Sequence, residues 1–176
     1  LTALPDSAMA SGSVIQVVET KITAKSSVNM TTTYTDVAGF SVTITPSSAS
    51  NKIKLTAMIN QSSIVQHGGG RFVRSVGGTD TVPTGWIGDA SSNRTRSTTG
   101  NLFAIVFLDS NGSDVNFPIP VTLIDDSHGT TSAITYKFQM SCSSGTHAIR
   151  FNTGDDDDQP FTYVAVSSII AEEIVA

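Results

Sequence analysis

The chain has 176 residues, 39% of them hydrophobic and only 14% charged, with a formal net charge of -5 and one cysteine. That length holds one domain with a core of its own, a lone cysteine excludes an internal disulfide, and the acidic balance argues against nucleic acid as a partner. No apolar run approaches the roughly 18 residues a membrane-spanning helix needs, so no membrane insertion is expected.

Leu1–Gly12 is rich in small residues and lacks periodicity. It reads as an extended N-terminal arm, with the domain proper over 13–176. The chain opens without Met or a signal peptide, so the expectation is the mature or ordered part of something longer. Ser13–Glu19 carries Val14, Ile15, Val17 and Val18 and predicts the first strand. A short second strand follows within Thr20–Val28. Phe40–Thr45 and Lys52–Asn60 alternate apolar and polar residues around Pro46–Asn51, whose Pro, Ser and Asn favour a turn, so the two form a hairpin. Gly68-Gly-Gly70 predicts a tight turn, Arg71–Val76 a strand and Asp89–Asn101 a long surface loop.

Leu102–Leu108 is apolar on both faces. Phe117–Ile124 contains Pro118 and Pro120, which cannot donate to a ladder, and so belongs at a sheet edge. Ile134-Thr-Tyr-Lys-Phe-Gln-Met-Ser-Cys142 alternates without error, which puts one face in a core and the other in water. His147–Phe151 follows, then an acidic loop at Asn152–Pro160, then a last long strand at Phe161–Ile170. Helix signals are nearly absent. The prediction is an all-β antiparallel sandwich with its core at Val42, Ile44, Ile53, Leu55, Tyr136, Phe138 and Met140.

A strand apolar on both faces needs a second cover. A second copy of the chain supplies one, and the loop Asp89–Asn101 is the internal alternative. The candidate interface is therefore Leu102, Ala104, Val106 and Leu108 with Val164, Val166 and Ile170. Charge is unevenly spread, at +4 over Ser50–Gly100 and -8 from Asn101 onward, an asymmetry able to steer a partner.

The catalytic inventory is thin. His67, His128 and His147 lack metal-pair spacing, and no nucleophile elbow, phosphate loop or dinucleotide fingerprint occurs, so no enzyme and no cofactor are expected. Asp155, Asp156, Asp157 and Asp158 form the densest charge run. Ca²⁺ takes oxygen ligands from such loops, making Asn152, Asp155 and Asp157 a weak calcium candidate, although the alternating ligand spacing is missing. Trp86, between Gly85 and Gly88, is a candidate stacking platform for a sugar, or else a cap on the core. Trp86, Arg94, Arg96 and Asp155–Asp158 are the candidate contacts to a receptor or glycan.

Four blocks then carry a resemblance, in order along the chain. These are Gly12–Val18, Tyr34–Ile53 (Tyr-Thr-Asp-Val-Ala-Gly-Phe-Ser-Val-Thr-Ile-Thr-Pro), Ile124–Lys137 (Asp-Asp-Ser-His-Gly-Thr-Thr-Ser-Ala-Ile-Thr-Tyr) and Ser167–Ile174. Together they resemble a domain of tailed-phage structural proteins, particularly of marine phages. Asp126-Ser-His-Gly replaces that family's Asp-Ser-Pro form, and Phe103–Phe117 looks like an insertion. The resemblance implies a jelly-roll-like domain of a tail fibre or other virion appendage, usually trimeric, on the particle surface. It implies a homotrimer that meets a host-surface glycan or protein, joined to other virion proteins by the arm. A capsid decoration or head-fibre protein that stabilises the shell is the alternative. A soluble lectin-like module, monomeric or dimeric with a sugar pocket near Trp86, is a third.

Overall fold

The computed structural model describes residues 8–62, 68–99, 116–154 and 164–176. The strands are β1 (Val14–Ile22), β2 (Ser26–Met30), β3 (Thr35–Ile44), β4 (Lys52–Ser62), β5 (Gly68–Val76), β6 (Thr79–Thr81), β7 (Phe117–Asp125), β8 (Ile134–Cys142), β9 (His147–Phe151) and β10 (Ser167–Ile174). One turn of 3-10 helix lies at Thr84–Trp86.

The pairing is a set of nested antiparallel hairpins. β5 pairs with β6, β4 with β7 outside them, β3 with β8 outside those, and β1 with β10 outermost. Rolling such a nest buries its apolar faces in two sheets, β1-β10-β4-β7 and β3-β8-β5-β6. This is the jelly-roll topology. Gly77 and Gly78, both at positive φ, form the two-residue turn between Val76 and Thr79 at the centre of the nest, as the twist of a tight hairpin requires.

The alternation seen in sequence selects the core. Val42, Ile44, Ile53, Leu55, Tyr136, Phe138 and Met140 are all buried, joined by Met30, Phe40, Ile59, Phe72, Phe151 and Ile169. Phe40 and Phe151 meet across the interior with ring centroids 4.7 Å apart, and Phe72 and Phe138 lie side by side on β5 and β8 at 5.2 Å. Each such side chain contributes roughly 1.5–3 kcal/mol by leaving water. Among the described residues β7 lies at the sheet edge, paired only with β4. Pro118 and Pro120 share one parity on it, so the N–H groups that reach β4 come from the alternate residues.

Three buried polar assemblies fasten the sheets. At one end, the Asp125 carboxylate accepts from Arg74 Nη1 at 2.8 and 3.1 Å, from Tyr136 Oη at 2.9 Å and from the Ser127 amide at 3.2 Å. Burial first, and then the neighbouring carboxylate, hold the Tyr136 hydroxyl well above the usual phenol range. At the same end, in one row with Asp125 across Ile53, Glu173 Oε1 accepts from the Ser47 amide and hydroxyl and from Asn51 Nδ2, at 2.8, 2.7 and 2.8 Å. Asn51 O in turn takes a 2.7 Å bond from buried His128.

The third assembly is a seam. β9 and β10 lie end to end along β4 and are paired outward with β2 and β1. They are one strand interrupted by residues 152–166. Asn152 closes the interruption with a fully buried side chain in the left-handed region, at φ 61°. Its Nδ2 donates to Ile22 O at 2.8 Å and to Ala24 O at 3.0 Å, and its Oδ1 accepts from Ser167 Oγ at 2.6 Å. Its backbone bonds Asn60 O and the Ala165 amide, both at 2.9 Å.

Four sequence expectations are corrected here. Phe40–Thr45 and Lys52–Asn60 do not form a hairpin, because β3 pairs with β8 in one sheet and β4 with β10 and β7 in the other. Gly68–Gly70 is not a turn but the start of β5, paired with Met140–Cys142. Its glycines leave room for Thr98 and Thr99, whose backbones bond Gly70 and cover the free edge of β5. The last strand is Ser167–Ile174 rather than Phe161–Ile170, because Ile169, Ala171 and Glu173 are the residues that turn inward. The second strand begins at Ser26, beyond the break in the edge strand. The Leu102–Leu108 strand lies outside the described residues.

Candidate functional site

The outer face of sheet β3-β8-β5-β6 carries a continuous polar ladder. Lys137 on β8 bonds Asp36 on β3 at 2.9 Å and Asp80 on β6. Gln139 Nε2 donates to Asp36 at 2.6 Å, and its Oε1 accepts from Arg71 Nε at 2.8 Å. The Arg71 guanidinium then lies 4.0 Å from the centre of the Tyr34 ring, a cation–π contact. The Asp80 and Lys137 partnership lowers the Asp80 pKa and raises that of Lys137, chiefly through their mutual hydrogen bond.

Beyond Tyr34 the ladder opens into a cleft of about 560 Å³. Its described lining is Tyr34, Gly68, Gly69 and Ser141 on the sheet side, with Asn93, Arg94, Thr95 and Ser97 from the loop opposite. Tyr34 Oη donates to the Arg96 carbonyl at 3.0 Å, Arg96 Nε donates to Gly88 O, and Gly88 N bonds Ser97 O at 3.2 Å. These bonds fix the loop that presents Arg94. No carboxylate is among the described lining residues. Such a surface orients a polar ligand through hydroxyls, amides and a guanidinium.

The sequence candidates separate on the structure. Arg94 lines the cleft, and Arg96 holds its wall. Trp86 is not a sugar platform. It is 5% exposed, donates Nε1–H to Ile124 O at 3.0 Å and packs 5.7 Å from Tyr136, so it caps the core over the Arg74–Asp125 pair. Asn152 spends its amide on the seam. Asp155, Asp156, Asp157 and Asp158 lie outside the described residues, as do Leu102, Ala104, Val106 and Leu108. Among the described residues no group of three or more His, Cys, Asp or Glu is arranged to hold a metal ion.

No family model matches this chain, and no curated protein does. Among solved structures it is similar to the infectious bursal disease virus VP2 subviral particle. The identity is 14% and the TM-score 0.37, over 93% of this chain and 38% of that one. It is also similar to the structure of infectious bursal disease virus Gx strain, at 16% identity and TM-score 0.36, over 93% and 39% of the two chains. The chain spans less than two fifths of the length of either.

The opposite outer face, on sheet β1-β10-β4-β7, is more apolar. Val17, Glu172, Lys54 and Ile124 form one row across it, and Lys21, Ser168, Met58 and Pro120 another. Val14, Val17, Met58 and Ile124 are exposed there, Ile170 is half-buried, and Val164 and Val166 are exposed just before β10. A Lys54–Glu172 ion pair at 2.7 Å sits among them. Sequence patterning singled out Val164, Val166 and Ile170 but missed Val14, Val17 and Met58. Each belongs to a strand whose inward residues already accounted for its hydrophobicity.

Proposed function

We propose that this chain is a structural domain of a bacteriophage virion, a tail-fibre-type appendage that assembles as a homotrimer and mediates attachment to the host surface. The observation that carries the proposal is the apolar outer face of sheet β1-β10-β4-β7. The jelly roll already has a complete core, yet Val17 remains 59% exposed and Val164 64% exposed. Exposed apolar clusters of this kind favour association, and interfaces between copies resemble a domain core cut in half. The ordered resemblance of four blocks to tailed-phage structural proteins supports the virion setting, and the cleft at Arg94 supports attachment.

Light scattering on the purified chain, with and without Leu1–Gly12, tests the reading. The expected mass is three times the 18.4 kDa subunit in both forms. Dissociation on loss of the arm favours a particle-anchored decoration protein instead. A monomer in both forms overturns the proposal.

A further inference from the structure

We infer that the cleft between Tyr34 and Arg94 is a binding site for an anionic saccharide. The inference rests on the attachment role proposed above and names the ligand class. Its first support is charge. In a chain of net charge -5, the cleft gathers Arg94 at its rim with Arg71 and Arg96 behind it. The Arg94 guanidinium has no partner among the described residues. The acidic residues of the ladder on this face, Asp36 and Asp80, are already bonded to Lys137, and Asp36 also to Gln139. A planar guanidinium matches a carboxylate or phosphate in two-point geometry.

The second support is unspent hydrogen-bonding capacity. The side chains of Asn93, Thr95, Ser97 and Ser141 line the cleft and make no side-chain hydrogen bond among the described residues. Ser141 is only 3% exposed, and on β8 it points to the outer face, so its hydroxyl opens into the recess. Buried polar groups nearly always find partners. Hydroxyls and amides both donate and accept, as do the hydroxyls of a sugar. The volume of about 560 Å³ falls within the roughly 300–1,000 Å³ of small-ligand sites.

The third support is the floor. A Cβ on Gly69 would lie 3.1 Å from Ser97 Cβ and 3.2 Å from Tyr34 Oη. Glycine there keeps the recess open where the sheet and the loop meet. Tyr34 acts by position and offers no open stacking face, since Arg71 covers its ring and its hydroxyl anchors the Arg96 carbonyl.

The test is calorimetric titration of the intact chain with three oligosaccharides of equal length. One ends in glucuronate, one in a sugar phosphate and one in the neutral sugar. At least one anionic form is expected to bind ten-fold or more tightly than the neutral one, and the stronger arm identifies the acid. Arg94→Gln is expected to bring the anionic affinities down to that of the neutral form, with Arg94→Lys retaining part of the preference. Gly69→Val is expected to weaken all three. Equal binding of charged and neutral forms, or unchanged preference in Arg94→Gln, overturns the site. The mass of the same samples separates the two readings. A trimer without the preference overturns the site and leaves the assembly standing, whereas a monomer with it does the reverse.

Discussion

Asn152 is the residue at which a single substitution tests the seam most sharply. Replacing it with Ala strips two carbonyls, half-buried Ile22 O and exposed Ala24 O, of their donor and leaves buried Ser167 Oγ without its acceptor. Each buried group left unpaired costs about 1–3 kcal/mol. Because water reaches Ala24, the Asn152→Ala loss is about 2–4 kcal/mol. The backbone adds a second component, because φ is 61° and a left-handed Ala costs about 1–2 kcal/mol that Gly avoids. Against this, Gly loses roughly 0.5–1 kcal/mol through its freer unfolded chain. Asn152→Gly is therefore expected to be the less damaging of the two, by up to about 1 kcal/mol. Asn152→Asp keeps an oxygen for Ser167 but aims a carboxylate at two carbonyls, and is expected to be at least as damaging as Ala. Urea unfolding at fixed protein concentration measures the series, and melting should fall by about 2–4 °C per kcal/mol in a domain of this size. An Asn152→Ala loss below about 1 kcal/mol, or Ala better tolerated than Gly, would refute the account of the seam.

Asp125→Ala is expected to cost about 3–5 kcal/mol by denaturant midpoint, because it leaves Arg74 half-shielded without its anion. A cost near zero would mean that water reaches the pair. Tyr136 has its folded pKa raised above the usual value of about 10. Its contribution is therefore complete below pH 10 and is lost as the pH climbs past it. Tyr136→Phe should flatten that alkaline decline, and an unaltered slope would assign it to other groups. Asp80 has its pKa lowered, so its smaller contribution is present above the carboxylate range and falls away in acid. Asp80→Asn should soften the acid limb at low salt and much less at high salt, where exposed pairs are screened. Val17→Asp, at an exposed position, should leave the fold intact by circular dichroism and reduce the scattering mass to 18.4 kDa. An unchanged trimer would move the interface elsewhere.

The parts legible in sequence are those where one physical rule decided the outcome. β8 and β4 alternate because one face is dry, and the residues named for the core are the ones found there. β7 carries two prolines, and only an edge accommodates them. Period two assigns a residue to a face but does not say what lies over that face. Gln139 and Ser141 were expected in water, and both are buried, under the polar ladder and beside the loop that carries Arg94. Trp86, among small neighbours, was open to two readings, a sugar platform and a cap on the core. Its indole is drawn inward by the Ile124 carbonyl and the Tyr136 ring, which come from distant strands. Asn152 sits in a polar run that reads as loop, and its importance arises from Ile22, Ala24 and Ser167, which only the folded chain brings to it.

The nested pairing also sets a timetable. Val14 pairs with Ile174, so β1 waits until β10 has been made. At synthesis rates of roughly 5–20 residues per second, that wait is on the order of ten seconds or more. Throughout it, the Val-rich β1 has no native partner to hydrogen-bond. β10 also lies between β1 and β4 in the sheet whose outer face is proposed to join three copies. The assembling surface therefore does not exist until β10 has left the ribosome. Subunits of this design associate only once β10 has emerged, and their yield depends on how well nascent β1 is kept from pairing with its neighbours.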